Sequence, residues 1–165
     1  MTGDAAINRP QPDTPATRAV AAAGIQHAVV DFGPVASIEE AAAAQGLGVG
    51  QMNKTLVVRV AEGEYILVVV SGDRRFSWPA LRAHLGTSRL SMPDAEEAFA
   101  ATGYRRGTIT PFGSQGPWPV IVDRAVLRHD RVAIGGGQHG VSIQLAPKDL
   151  VAATSADVAE VTEGT

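Results

Sequence analysis

The chain has 165 residues, 45% hydrophobic and 19% charged, which is the size and apolarity of one ordinary globular domain and argues against wholesale disorder. Fourteen Lys and Arg against 17 Asp and Glu leave a net charge of −3, the wrong balance for a basic protein that coats nucleic acid. Cysteine is absent, which removes disulfides, thiolate metal ligands, iron–sulfur clusters and a cysteine nucleophile together.

The elements follow in chain order. Residues 1–14 are rich in proline and poor in large apolar groups, so a flexible tail is expected there. Thr14 with Pro15 at the first helical position opens a short helix that Gly24 ends. The β-branched HAVVDF reads as a strand. Ser37 with Glu40 forms a capping box for the alanine-rich helix Ile38–Gln45. TLVVRV and YILVVVSGD, separated by Ala61-Glu62-Gly63-Glu64, predict an antiparallel hairpin. Its second run is apolar at every position from Ile66 to Val70, which implies a central strand covered on both faces. Pro79 starts a helix that presents Leu81 and Leu85 and stops at Gly86. Ser91, Pro93 and Asp94 open another, with Ala95, Ala98 and Phe99 on one face. A glycine- and proline-rich loop over 103–119 precedes strands near Val120–Val122, Val132–Gly135 and Val141–Leu145, and a last short helix begins at Pro147. The pattern has no fixed-period repeat and indicates one α/β domain built on a mixed sheet.

The charge is uneven. From Lys54 to Arg131 eleven basic residues face eight acidic ones, a net of +3, while the acidic excess lies toward the two ends. Apolar runs such as Tyr65–Val70 are far below the roughly 20 residues that span a bilayer, and the polar opening MTGDAAINRPQPD does not resemble a signal peptide. A cytoplasmic protein with no membrane partner is expected.

Several chemistries lack their residues. No Gly-x-Ser-x-Gly elbow is present. His27, His84, His129 and His139 are scattered without metal-ligand spacing, so no metal is expected. Gly135-Gly136-Gly137 has neither the dinucleotide spacing nor the Lys-Ser/Thr of a phosphate loop, so no nucleotide cofactor is expected. Three places remain: Lys54 at the mouth of a strand, the loop Gly107-Thr108-Ile109-Thr110-Pro111, and the glycine turn ending in His139. They read as parts of one pocket. Each also has a plain alternative, as an exposed lysine, a surface turn and a packed or solvent-facing histidine.

The order of QMNKTLVVRV, VVVSGD, the Gly107–Pro111 loop running into Phe112-Gly113, VIVD and GGGQHGVSIQLAPKDL resembles the YbaK and prolyl-tRNA synthetase-associated editing family, over roughly Thr14 to Val151. The resemblance implies a curved, mixed, largely antiparallel sheet with helices packed around it, spanning 15–153 and followed by an acidic C-terminal tail over 154–165. It implies a free-standing deacylase that hydrolyses the ester of a mischarged small amino acid on tRNA, of the Ala-tRNA(Pro) or Cys-tRNA(Pro) kind, without a cofactor. Lys54 matches the family's essential lysine, and an ammonium is a compact donor for a phosphate or carbonyl oxygen. Gly107 and Pro111 match the substrate-facing loop, whose backbone amides would support an oxyanion; Thr108 and Thr110 lie between them. Gly135, Gly136, Gly137 and His139 match the turn that closes the pocket. The YbaK branch, associated with cysteinyl-tRNA, commonly has serine at the place of Gly135 and arginine at the place of His139. A histidine there is closer to the branches related to the synthetase insertion domain, which act on alanyl-tRNA.

The expected partners are the 3′ end of an aminoacyl-tRNA and an aminoacyl-tRNA synthetase, with the chain a monomer or homodimer. A non-catalytic aminoacyl- or nucleotide-binding module of the same fold, and a protein-interaction domain using the acidic ends, are the competing readings. Trp78 and Trp118 each adjoin a proline and are expected to pack rather than stack on bases. Arg74, Arg75, Arg105 and Arg106 are the candidates for contact with the tRNA body.

Overall fold

A computed structural model describes residues 11–164. The expected N-terminal tail lies outside the described residues as far as residue 10, and by Thr14 the chain is buried. Thr14 caps helix α1 (Pro15–Ala22): its hydroxyl accepts from the Thr17 N–H, and the Thr17 hydroxyl accepts from the Thr14 N–H. The Thr14 hydroxyl also donates to the Gly136 carbonyl at 2.6 Å, joining this helix start to the glycine turn.

The remaining elements are β1 (His27–Asp31), α2 (Ile38–Ala44), β2 (Asn53–Ala61), β3 (Glu64–Ser71), β4 (Arg74–Phe76), α3 (Trp78–Leu85), α4 (Ala95–Thr102), β5 (Val120–Asp123), β6 (Val132–Gly135), β7 (Val141–Leu145), α5 (Pro147–Thr154), β8 (Asp157–Ala159) and β9 (Thr162–Gly164). The strands fall into three hydrogen-bonded sets ordered β2-β3-β5-β8, β1-β7-β6 and β4-β9. Pairs β3–β5 and β5–β8 are parallel and the others antiparallel. A parallel bridge between Met52 and Ala133 joins the first two sets where β2 begins. The mixed, largely antiparallel architecture matches expectation, divided into these three sets.

Strand β3 is central because both its faces are covered. Leu67 and Val69 enter one cluster with Val57, Val122, Ile143 and Leu150, while Ile66, Val68 and Val70 enter a second with Val58, Leu81, Ile121 and Val161. Each such side chain contributes about 1.5–3 kcal/mol on burial, so an unbroken apolar run is what this position demands. Ser77 caps α3 and Gly86, at φ 68°, ends it in the left-handed region.

Three local expectations change. Glu40 does not complete a box on Ser37; its carboxylate accepts from the Ala36 N–H, while Ser37 accepts from the Glu40 N–H. Ser91 lies outside α4 and bridges Arg59 through two backbone hydrogen bonds, leaving Asp94 as the cap. The buried face of α4 is Ala98, Ala101 and Thr102, whereas Ala95 is exposed and Phe99 lies under the Arg105 guanidinium.

The acidic stretch after Thr154, expected as a tail, instead adds β8 and β9 to the fold. Val161 is fully buried, and the buried Asp123 carboxylate accepts from the Val161 N–H at 2.8 Å and from the Thr162 hydroxyl at 2.7 Å. Ala159 and Val161, two positions apart, are buried while Asp157, Glu160 and Glu163 are exposed, so this charged segment turns one side inward. Both tryptophans pack: Trp78 edge-on against Phe76, and Trp118 edge-on against Tyr65 with its indole N–H donated to the Ala101 carbonyl. Among the described residues, no helix is long and apolar enough to cross a membrane.

Candidate functional site

The start of β2, the loop after α4 and the β6–β7 turn meet at one end of the sheets. They enclose two adjoining hollows of about 720 and about 410 Å3. Asn53, Lys54, Gly107 and Gly135 line both, so these four residues stand where the hollows meet. The larger hollow continues between Phe32, Val35, Ile38 and His139; the smaller one runs over Leu56, Met92, Ala98 and Ile109, with Arg106 on its wall.

Two glycines make this junction possible. Gly107 has φ +89°, and a Cβ there would sit 3.4 Å from His139 Cε1, so the imidazole packs directly against the loop backbone. At Gly135 a Cβ would come within 2.8 Å of the Ile109 carbonyl oxygen and 3.0 Å of the Thr108 carbonyl oxygen, so the loop lies on bare β6 backbone. Lys54, a strand residue with an exposed side chain, supplies the cation at the junction. The Gly107 N–H has no carbonyl partner among the described residues.

The structure therefore brings together Lys54, Gly107, Gly135 and His139. It does not bring the rest of the predicted set to the cleft. After Gly107 the loop turns inward: Thr108 is buried with its hydroxyl donated to the Arg105 carbonyl, and Thr110 is fully buried. Pro111, expected at the substrate, faces a separate hollow beside Phe112 and Trp118, because the adjacent Phe112 is drawn into the main cluster. Gly136 and Gly137 shape the turn rather than line it. A Cβ on Gly136 would meet Val141, and one on Gly137 would meet Tyr104 and Thr14.

Tyr104 is the pillar under both glycine segments. Its hydroxyl donates to the Phe112 carbonyl at 2.6 Å, and burial pushes its phenol up to about 12. Behind the larger hollow, a side-chain chain holds α2 against β7. Arg131 donates to Gln144 at 2.9 Å, Gln144 donates to Gln45 at 3.1 Å, and Gln45 donates to Ser142 at 3.2 Å.

Asn53 also lines both hollows and belongs to none of the chemically marked positions in the sequence. Its signal was an amide inside a strand run, on the face shared by Thr55 and Val57. Of the four candidate arginines, only Arg106 lines the cleft. Arg105 pairs with Glu96, Arg75 with Glu163, and Arg74 donates to Thr162. Among the described residues no three His, Asp or Glu side chains gather as metal ligands.

A model of the aminoacyl-tRNA editing domain matches residues 33–153. The chain belongs to that family. The matched span holds every residue of the junction. Among relatives of this editing domain, the Enterococcus faecalis protein EbsC, provisionally named a Cys-tRNA(Pro)/Cys-tRNA(Cys) deacylase, is 26% identical over 126 residues, covering 76% of this chain and 77% of that one. The proline–tRNA ligase of Nitratidesulfovibrio vulgaris is 36% identical over 110 residues, which are 67% of this chain and 18% of the ligase. A crystal structure provisionally described as a trans-editing enzyme for prolyl-tRNA synthetase aligns with a TM-score of 0.84 at 32% identity, covering 93% of this chain and 99% of that one.

Proposed function

We propose that the chain is a free-standing aminoacyl-tRNA deacylase that removes a misattached small amino acid from tRNA. The observation that carries this reading is the convergence of Lys54, Gly107, Gly135 and His139 on one cleft with two hollows, within the editing-domain fold. An aminoacyl ester has two unequal halves, a terminal nucleoside and an amino acid, and two adjoining hollows suit such a ligand.

In this reading water adds to the ester carbonyl carbon. The bond from that carbon to the ribose oxygen then breaks, the oxygen leaves with the electron pair, and it takes the proton that the water gives up. Free amino acid and a restored ribose hydroxyl result. The Lys54 ammonium and the Gly107 N–H are donors for the carbonyl oxygen as its charge grows, and preorganised donors of this kind supply several kcal/mol in a water-poor site. His139, packed on Gly107, bounds the aminoacyl hollow. The ester is already activated relative to an amide, so orientation and oxyanion support meet much of the need without a covalent nucleophile. The similarity to part of a proline–tRNA ligase and to a provisional Cys-tRNA(Pro) deacylase favours tRNA(Pro) carrying alanine or cysteine as substrate.

The test is single-turnover deacylation of a panel of mischarged tRNAs, with Ala-tRNA(Pro) and Cys-tRNA(Pro) among them. Hydrolysis of at least one member is expected, with Lys54→Ala lowering kcat/KM by about 100-fold at unchanged Tm, the loss typical of a removed oxyanion donor. An inactive wild-type chain that still binds aminoacyl-tRNA would establish the binding module instead.

A further inference from the structure

We propose that Gln45 is a positioning residue for deacylation: it clamps helix α2 against β7, fixing the width of the larger hollow and so the size of the aminoacyl group accepted there. This rests on the deacylase reading above.

Helix α2 gives that hollow one wall, through Ile38 and Ala41, and the β6–β7 pair gives another, through Ala133, Ile134 and Ser142. The helix has only 7 residues, too few to stand by itself, so tertiary contacts must hold it. Its apolar grip is slight, because the residues it buries are the alanines Ala41 and Ala42. Gln45, at the C-cap of α2, adds directional contacts. Its Nε2 donates to the Ala41 carbonyl at 3.1 Å, within the helix, and to the Ser142 hydroxyl at 3.2 Å, on β7. Its Oε1 accepts from Gln144 Nε2 at 3.1 Å. Ala41 and Ser142 both line the hollow, so one carboxamide ties two of its walls together.

The clamp is itself held. Gln144 is buried and accepts from Arg131 Nε at 2.9 Å. The Arg131 carbonyl accepts from Gln51 Nε2 at 2.9 Å, and Gln51 Oε1 accepts from the Gly48 N–H at 2.9 Å. A run of hydrogen bonds thus leaves the end of α2, crosses β7 and returns to the segment that follows α2. Bonds linked in this way reinforce one another and favour a single arrangement.

Wall position matters because an apolar pocket refuses an extra methylene by only about 10–200-fold, and it does so only while the walls stay in place. With the clamp intact, the hollow favours α-aminoacyl esters with small side chains. With the clamp cut, α2 is free to give way to a bulkier one.

The experiment compares wild type with Gln45→Met, Gln144→Met and the double variant on the panel tRNA that wild type deacylates, charged with its preferred small amino acid or with valine, alongside thermal unfolding. Wild type should favour the small ester by at least about 10-fold in kcat/KM. Methionine keeps the length of Gln45 and removes both hydrogen-bonding groups. Gln45→Met should therefore shrink the preference at least about 5-fold, chiefly by lowering KM for the valyl ester, with kcat on the small ester changed less than about 3-fold. Gln144→Met should act in the same direction, and the double variant should be no worse than Gln45→Met, because both residues act through one clamp. Gln45→Glu still accepts from Gln144 but no longer donates to Ala41 and Ser142; it should lose part of the preference, and it serves as the test if Gln45→Met does not fold. A size preference that survives both Gln45 substitutions, or rates on the two esters that fall together in step with Tm, overturns the proposal. So does a wild-type chain indifferent to the size of the amino acid. A wild-type chain inactive on the whole panel overturns the deacylase reading and the role of Gln45 with it, whereas activity with an unchanged size preference overturns the clamp alone.

Discussion

At Gly135 the space for a side chain is filled by backbone, which cannot swing aside as a side-chain end can. A Cβ there would stand 2.8 Å from the Ile109 carbonyl oxygen, so Gly135→Ala must push the 107–109 loop outward. Overpacking of this kind costs about 1–3 kcal/mol. Because Gly107 belongs to the displaced loop, the expected result is a Tm lowered by several degrees and a deacylation rate at least about 10-fold slower. Gly50→Ala is the control, since the atom it would meet first is the end of the Asp73 side chain, which can move. Equal activity in Gly135→Ala and wild type would show that the loop tolerates displacement. A serine here would face the same two carbonyls, so it too would require the loop to shift. That Lys54 and His139 line one hollow was legible from their place in the order of motifs. Pro111 was misplaced because its neighbour Phe112 is committed to the core, a matter of three-dimensional packing that a Gly-x-x-x-Pro spacing does not encode. Asn53 went unseen because an asparagine in a strand carries no motif.

Among the elements, the two C-terminal strands depend on one carboxylate. Asp123 ends β5 and accepts from the Val161 and Ala125 N–H groups and from the Thr162 hydroxyl, which in turn accepts from Arg74. Asp123→Ala leaves two buried N–H groups and a hydroxyl without their acceptor, at a cost of about 1–3 kcal/mol for each group that water cannot reach. The expected outcome is a lowered Tm with early loss of hydrogen-exchange protection in residues 157–164, measured by mass spectrometry; protection that falls uniformly across the chain would contradict a local anchor. The helices and the β2–β3 hairpin were readable because their signals are local: caps at Thr14, Ser37 and Asp94, Pro79 in the first turn of α3, and an apolar run in β3. The strands β8 and β9 were not. They are three residues each and charged on one side, and their pairing with β5 and β4 depends on segments more than thirty residues earlier in the chain.

For the molecule as a whole, Tyr104 links the loop, the glycine turn and the main cluster, so its titration reports on the entire fold. Its phenol is held up to about 12 against the ordinary value of 10.0. Below pH 10 the folded and unfolded chains both keep the proton and this group leaves stability level. From there to about pH 12 the unfolded chain ionises while the folded one does not, so stability is lost as pH rises through that window. Denaturant midpoints should fall above pH 10 more steeply for wild type than for Tyr104→Phe, with Tyr65 contributing to both alike; identical slopes would remove Tyr104 as the cause. The charge pattern has a sharper meaning at this scale too. The segment from Lys54 to Arg131 has a surplus of +3, yet three of its four candidate arginines are engaged by neighbours, and Arg106 alone lines the cleft.

The pairing of β1 with β7 places His27 opposite Leu145, and β6 pairs with the other edge of that same β7. During synthesis the early strand therefore has nothing to pair with until nearly all of the domain has left the ribosome. The β2–β3 hairpin can form at once, but its apolar faces wait for later segments. Half-made chains thus expose Val57, Leu67 and Val69 to solvent, and the cleft waits for the β6–β7 turn, whose residues leave the ribosome after about five-sixths of the chain.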